Sequence, residues 1–185
     1  MLRWLCAAVV SGMLAGSAGA HAEDDLVAIA RDTYVYTFPL YEMYRVRYLA
    51  HYSPANPRRV PVNHFLHRRE LADHTSRGVT TPNNDTLYSS SFLDLSGGPL
   101  VLEVPEIADR YFSLAFMDFY TNNFASVGTR TGNRHKYLIA GPGWKGQQAG
   151  DRQLITSPTN AVWLLGVFWC EERATCRACM RCRTH

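Results

Sequence analysis

An α+β fold is expected, with N-terminal helices packed on a mainly antiparallel sheet of short strands that curls into a sandwich or half-barrel. Three features predict it: apolar residues at helical spacing before Ser53, a succession of short extended segments after Thr86, and turn residues between them.

Residues 1–22 read as a signal peptide. Arg3 is followed by an apolar stretch from Leu5 to Ala15 and by the small residues Ala18, Gly19, Ala20 and Ala22. The stretch falls short of the roughly 20 apolar residues that span a bilayer, and Glu23-Asp24-Asp25 follows at once, so export to the periplasm or medium is expected, without a stable membrane anchor. The globular domain then covers residues 23–166. Asp24 or Asp25 can cap a helix whose face carries Leu26, Ile29, Ala30, Thr33 and Tyr34. Pro39 lacks a backbone donor and should break or kink this helix, giving a second helical stretch over Leu40 to His51. Tyr34, Tyr36, Phe38, Tyr41, Tyr44, Tyr48 and Tyr52 make an aromatic stripe of the kind usually buried in a core. Asn63 to Asp73, rich in His and Arg, suits a short exposed helix.

The extended segments are Leu87–Leu95, Leu100–Val104, Tyr111–Asp118, Phe124–Thr129, Lys136–Ala140, Gln153–Thr156 and Ala161–Leu165. Ser96-Gly97-Gly98-Pro99, Pro105-Glu106, Thr131-Gly132-Asn133, Gly141-Pro142-Gly143 and Ser157-Pro158 punctuate them. From Glu23 to Cys170 acidic and basic residues are equal in number, so no basic face exists to bind nucleic acid.

Residues 167–185 differ in composition. Cys170, Cys176, Cys179 and Cys182 crowd into an Arg-rich tail, which reads either as a zinc or disulfide knuckle or as the disordered product of a displaced reading frame.

Val79-Thr80-Thr81-Pro82-Asn83-Asn84-Asp85-Thr86-Leu87-Tyr88-Ser89 closely resembles the signature of the domain of unknown function 1254 family. Further blocks follow in order, including Gly98 to Pro105, Asp109 to Phe112, Phe116 to Asn122, Ala125 to Thr131, Ile139 to Trp144 and Pro158 to Gly166. The resemblance spans about Asp25 to Gly166. It implies an exported, strand-rich module that usually precedes a second domain, the domain of unknown function 1214. No likeness is evident from Val167 onward, so the chain is expected to be truncated or frame-displaced there. The uncovered apolar surface would favour homo-oligomers. The family supplies no agreed reaction or cofactor.

Two polar clusters at strand ends are the candidate site: Asn83, Asn84, Asp85 and Tyr88, and Asp118, Tyr120, Thr121, Asn122 and Asn123. Converging on one pocket with Arg130, they could bind an anionic or hydroxylated molecule, with Asp85 or Asp118 as base and Tyr88 or Tyr120 as proton donor. The structural alternative is that these Asn and Asp side chains satisfy turn backbone. Asn84, Asp85, Asp118 and Asn122 fit no known calcium loop, and His64 with His67 lack a third metal ligand, so no metal site is assigned. Ser89, Ser90 and Ser91 stand in a strand without a nucleophile elbow. The domain is thus expected to be part of an enzyme acting on a polar small molecule, or a non-catalytic binding or assembly module, or a fragment without function.

Overall fold

The computed structural model describes residues 2–76, 81–132, 135–146 and 150–170, with side chains from residue 25 onward. The elements are α1 (Leu2–His51), β1 (Leu66–His67), β2 (Thr86–Asp94), β3 (Leu100–Glu103), β4 (Phe112–Met117), β5 (Asn123–Gly128), β6 (Lys136–Ala140), β7 (Gln153–Thr156) and β8 (Ala161–Trp169). Two units are distinguished, Met1–Tyr41 and Glu42–His185.

The first unit is helical throughout its described length, and the helix continues through Pro39, so the expected break into two helices does not occur. Proline withholds one N–H, which would have met the carbonyl of Val35. Val35 is exposed, so water can take that acceptor. The expected apolar face is also exposed, including Leu26, Ile29 and Tyr34. Of the aromatic stripe, Tyr34, Tyr36 and Tyr41 here and Tyr44, Tyr48 and Tyr52 in the second unit are solvent-facing, which corrects their assignment to a core.

The second unit makes its core without them. Its strands form a five-stranded sheet in the order β1-β2-β8-β4-β5 and a three-stranded sheet in the order β3-β6-β7. Every pairing is antiparallel except β6 with β7. That parallel pair needs a crossover, which residues 141–152 supply. Among the described residues there is one helix and no closed barrel. Both sheets feed one cluster: Leu93, Phe112, Leu114, Phe116, Val127, Val162 and Leu164 from the larger, Leu102, Tyr137, Ile139 and Ile155 from the smaller. Residues of β4 alternate between buried and half-buried, as a strand with one face on a core requires.

Close approach fixes two glycines. At Gly128 a Cβ would lie 2.3 Å from the carbonyl oxygen of Phe112, and at Gly166 it would lie 2.8 Å from Cδ2 of Leu114. Three sequence expectations fail locally. Leu66 and His67 form a strand where a short helix was expected, because they pair with Ser90 and Ser89. The final strand runs past Gly166 to Trp169, since Val167, Phe168 and Trp169 complete the ladder with β2. Cys170, assigned to the tail, is instead buried and packs at the end of β8, and its disulfide accords with the disulfide alternative for the cysteine cluster rather than with zinc. Residues 171–185 lie outside the described residues.

The last helical turns reach the sheet through Met43 (buried), the Tyr44 ring edge-on to Phe119 at 4.6 Å, and His51 edge-on to Phe92 at 5.5 Å. Arg47 lies 3.5 Å from Asp94. The Asp94 carboxyl is held below its ordinary value chiefly by the Ser96 hydroxyl, then by the Ser96 N–H, with Arg47 contributing. A carboxyl lowered in the folded state stabilises above its unfolded pKa, about 3.9, and loses that contribution as pH falls through the lower folded value. Acid titration of stability should therefore show a smaller loss below about pH 4 in Asp94→Asn than in the wild type. Equal acid sensitivity in urea melts would exclude this contribution.

Candidate functional site

The loop that carries the first polar cluster is held at the start of β2. The Cys170 N–H donates to the carbonyl of Asp85 at 3.0 Å, and the Asn83 N–H donates to the Tyr88 hydroxyl at 2.9 Å. Beneath it Leu87 and Cys170, both buried, pack with Leu71. Facing the loop is the segment 71–76. There the Asp73 Oδ1 accepts from the Thr75 N–H at 2.9 Å and the Thr75 hydroxyl at 2.6 Å, which fixes a turn. Between the two segments lies a cleft of about 580 Å³ lined by Leu71, Ala72, Asp73, His74, Pro82, Asn83 and Asn84. Its size falls within the ordinary range for small-molecule sites. Thr81, which precedes the lining residue Pro82 in the chain, has a φ of 47°. That is an uncommon conformation for a β-branched residue, and strain of this kind gathers at ligand sites as well as in turns.

The second cluster is elsewhere. Asp85 adjoins Thr86, which stands opposite Trp169, whereas Asp118 follows Met117, which stands opposite Trp163. Six residues of β8 separate those positions, about 20 Å at strand rise. Asp85 and Asp118 therefore sit at opposite ends of the sheet, and the expected single pocket does not form. Asp118 is buried and closes its own turn. Its Oδ1 accepts from the N–H groups of Tyr120 (2.8 Å) and Asn122 (2.9 Å), and its Oδ2 from Asn122 Nδ2 (3.0 Å). Tyr120 and Asn122 are exposed, and Thr121 has a φ of 68°. A carboxylate with three donors inside one turn matches the alternative in which such side chains satisfy turn backbone. Arg130 lies at the same end as Asp85 but beyond β5, about 14 Å across three strand spacings from β2, with its guanidinium over the Tyr111 ring.

The metal alternatives also separate. His64 Nδ1 contacts the Val62 carbonyl and His67 Nδ1 the Ser89 hydroxyl, on a strand rather than a shared helix face. Among the described residues no group of three His, Cys, Asp or Glu is placed to hold a metal.

The profile of the family described as "Protein of unknown function (DUF1254)" matches residues 62–179. The chain belongs to the DUF1254 family. The match passes Gly166, where likeness was expected to end, and takes in the whole of β8. No curated protein matches the DUF1254 chain. Among solved structures it is similar to the VPA0106 protein from Vibrio parahaemolyticus, at 24% identity and a TM-score of 0.65, over 85% of this chain and 36% of that one. The chain thus spans about a third of the length of that structure, and the likeness shows the fold.

Within this DUF1254 chain, Asn83 and Asn84 line the cleft, and the Tyr88 hydroxyl holds their loop by accepting from the Asn83 N–H. Asp73 and His74 were missed as lining residues. Asp73-His74-Thr75-Ser76 is readable as an Asx turn, but its position opposite Asn84 depends on β1 pairing with β2, which two residues of strand do not announce.

Proposed function

We propose that the chain is an exported module that binds a polar small organic molecule in the cleft between residues 71–74 and 82–84. One observation carries this: His74, Asn83 and Asn84, all exposed, line one concave site together with Asp73. Polar side chains gathered on a concave surface are what orients a ligand. Two features support export, the basic-apolar-small layout of residues 1–22 and the disulfide at Cys170, since disulfides persist in oxidising compartments. Among the described residues no helix is long and apolar enough to cross a membrane.

Ligand-observed NMR against a panel of polar small molecules tests the cleft. A ligand should appear whose affinity falls about tenfold or more in Asn84→Ala, the loss of one or two well-placed hydrogen bonds. Undiminished binding in that variant would remove the assignment. Deletion of residues 2–22 should leave the protein in the cytosolic fraction. If the full chain is also cytosolic, the export reading fails.

A second reading is an assembly module. It is favoured by Tyr44, Tyr48, Leu49 and Tyr52, all exposed on the last helical turns, where a second domain of the 1214 type or another copy could cover them. Sedimentation of the wild type and of Tyr48→Glu separates the two: only the assembly reading has the variant lose a larger species.

A further inference from the structure

We propose that the end of the larger sheet carrying Tyr111, Trp169 and Arg130 is a second binding site, a platform for an acidic polysaccharide chain, separate from the cleft. Phe112 and Phe168 stand opposite each other on β4 and β8, and their rings stack at 6.1 Å on the core side of the sheet. Successive side chains of a strand point to opposite faces, so the neighbours Tyr111 and Trp169 share the outer face. The Trp169 N–H donates to the Tyr111 carbonyl at 2.9 Å, which continues the pairing and sets the two side chains about 5 Å apart at Cβ. Tyr111 is 39% exposed and Trp169 38%. Two aromatic rings therefore lie side by side, each with surface open to a ligand.

Arg130 adds a cation to the platform. It is exposed, its guanidinium lies over the Tyr111 ring at 6.0 Å, and among the described residues no carboxylate pairs with it. A cation stacked on a ring is held in place while its edge N–H groups stay open to a carboxylate. Of the charges nearby, Asp109 and Arg110 pair with each other, and Asp85 adjoins Thr86, on the far side of Trp169 from Tyr111. Positive potential is thus gathered at the Arg130 end. Sugar rings present apolar C–H faces that lie on aromatic rings, and a uronic acid carries its carboxylate at the ring edge. The face of a sheet does not enclose a small molecule, as the usual concave site does, whereas a chain gathers contacts ring by ring. One cation also suits a glycan with a carboxylate on alternate sugars better than a nucleic-acid strand, which carries a phosphate at every nucleotide.

Amide chemical-shift titration of the isotopically labelled full chain tests this, with a hyaluronan oligosaccharide, a neutral cellulose oligosaccharide of the same length and an oligothymidylate as probes. It is repeated in Arg130→Gln and Trp169→Ala. The hyaluronan oligosaccharide should move the signals of Tyr111, Arg130 and Trp169, and the neutral one should bind at least about fivefold more weakly. Each substitution should weaken the acidic glycan by about fivefold or more. Arg130 is exposed, so its substitution spares the fold and decides the matter even if Trp169→Ala unfolds. Undiminished binding in Arg130→Gln, or shifts confined to Asn83 and Asn84, would overturn the second site. Equal affinity for the neutral glycan would overturn the acidic class, and no shift with either glycan would overturn the proposal. Tighter binding of oligothymidylate that Arg130→Gln abolishes would replace the glycan by a nucleic acid.

Discussion

Phe116→Ala should cost the sheet unit about 3–5 kcal/mol, a large share of the roughly 5–15 kcal/mol ordinary for a domain. The residue is fully buried in β4, the strand that lies between β8 and β5, and it belongs to the cluster that both sheets share. Its ring neighbours Phe124 at 6.3 Å, and its backbone stands opposite Leu164 and Ala125. Truncation removes apolar contact with both sheets and leaves a void that rigid flanking strands cannot close. Phe116→Leu, which keeps most of the volume, should cost far less. Urea unfolding followed by tryptophan fluorescence measures both, and Trp163 in the paired strand is a suitable reporter. A loss under about 1 kcal/mol for the alanine variant would contradict the shared core.

Asp118→Ala comes next, with an expected loss of about 2–4 kcal/mol, since hydrogen bonds to a charged acceptor contribute more than neutral ones. The carboxylate is buried and collects three donors from Tyr120 and Asn122, so alanine strands the two N–H groups and the Asn122 amide. Asp118→Asn keeps an acceptor for the two backbone donors but turns an NH₂ toward that of Asn122, and should fall between. Ligand affinity of the folded fraction should be unchanged in both variants, because the cleft is at the far end of the sheet. A purely catalytic base at Asp118 would instead leave stability intact in the asparagine variant and abolish turnover. Chemical denaturation of the three proteins together with one binding isotherm each distinguishes these roles.

The strands were legible because the sheet has one buried face and turns rich in Gly, Pro, Asn and Asp. Lys136–Ala140 and Gln153–Thr156 fall where the residue pattern puts them, four others shift by one residue at one or both ends, and the last runs four residues past Leu165 to Trp169. The helical region was legible in type but not in partner. Its aromatic spacing describes a face without saying what meets it, and two sheets that close on each other leave Tyr44, Tyr48 and Tyr52 in solvent. Residues 66–67 gave no alternation to read, so their pairing with β2, and with it the approach of Asp73 and His74 to Asn84, was invisible. The polar clusters were correctly seen as strand-end features. Which end each occupied depends on β8 lying between β2 and β4, a long-range order that no local pattern encodes.

An amide chemical-shift map of the bound protein addresses the cleft most directly. Titrating isotopically labelled protein with the tightest ligand from the panel should move the signals of Ala72, Asp73, His74, Asn83 and Asn84, which line the cleft, and leave Tyr120, Thr121 and Asn122 in place. Shifts centred on Tyr120 to Asn122, with Asn83 and Asn84 unmoved, would contradict the account and put the binding function at the opposite end of the sheet.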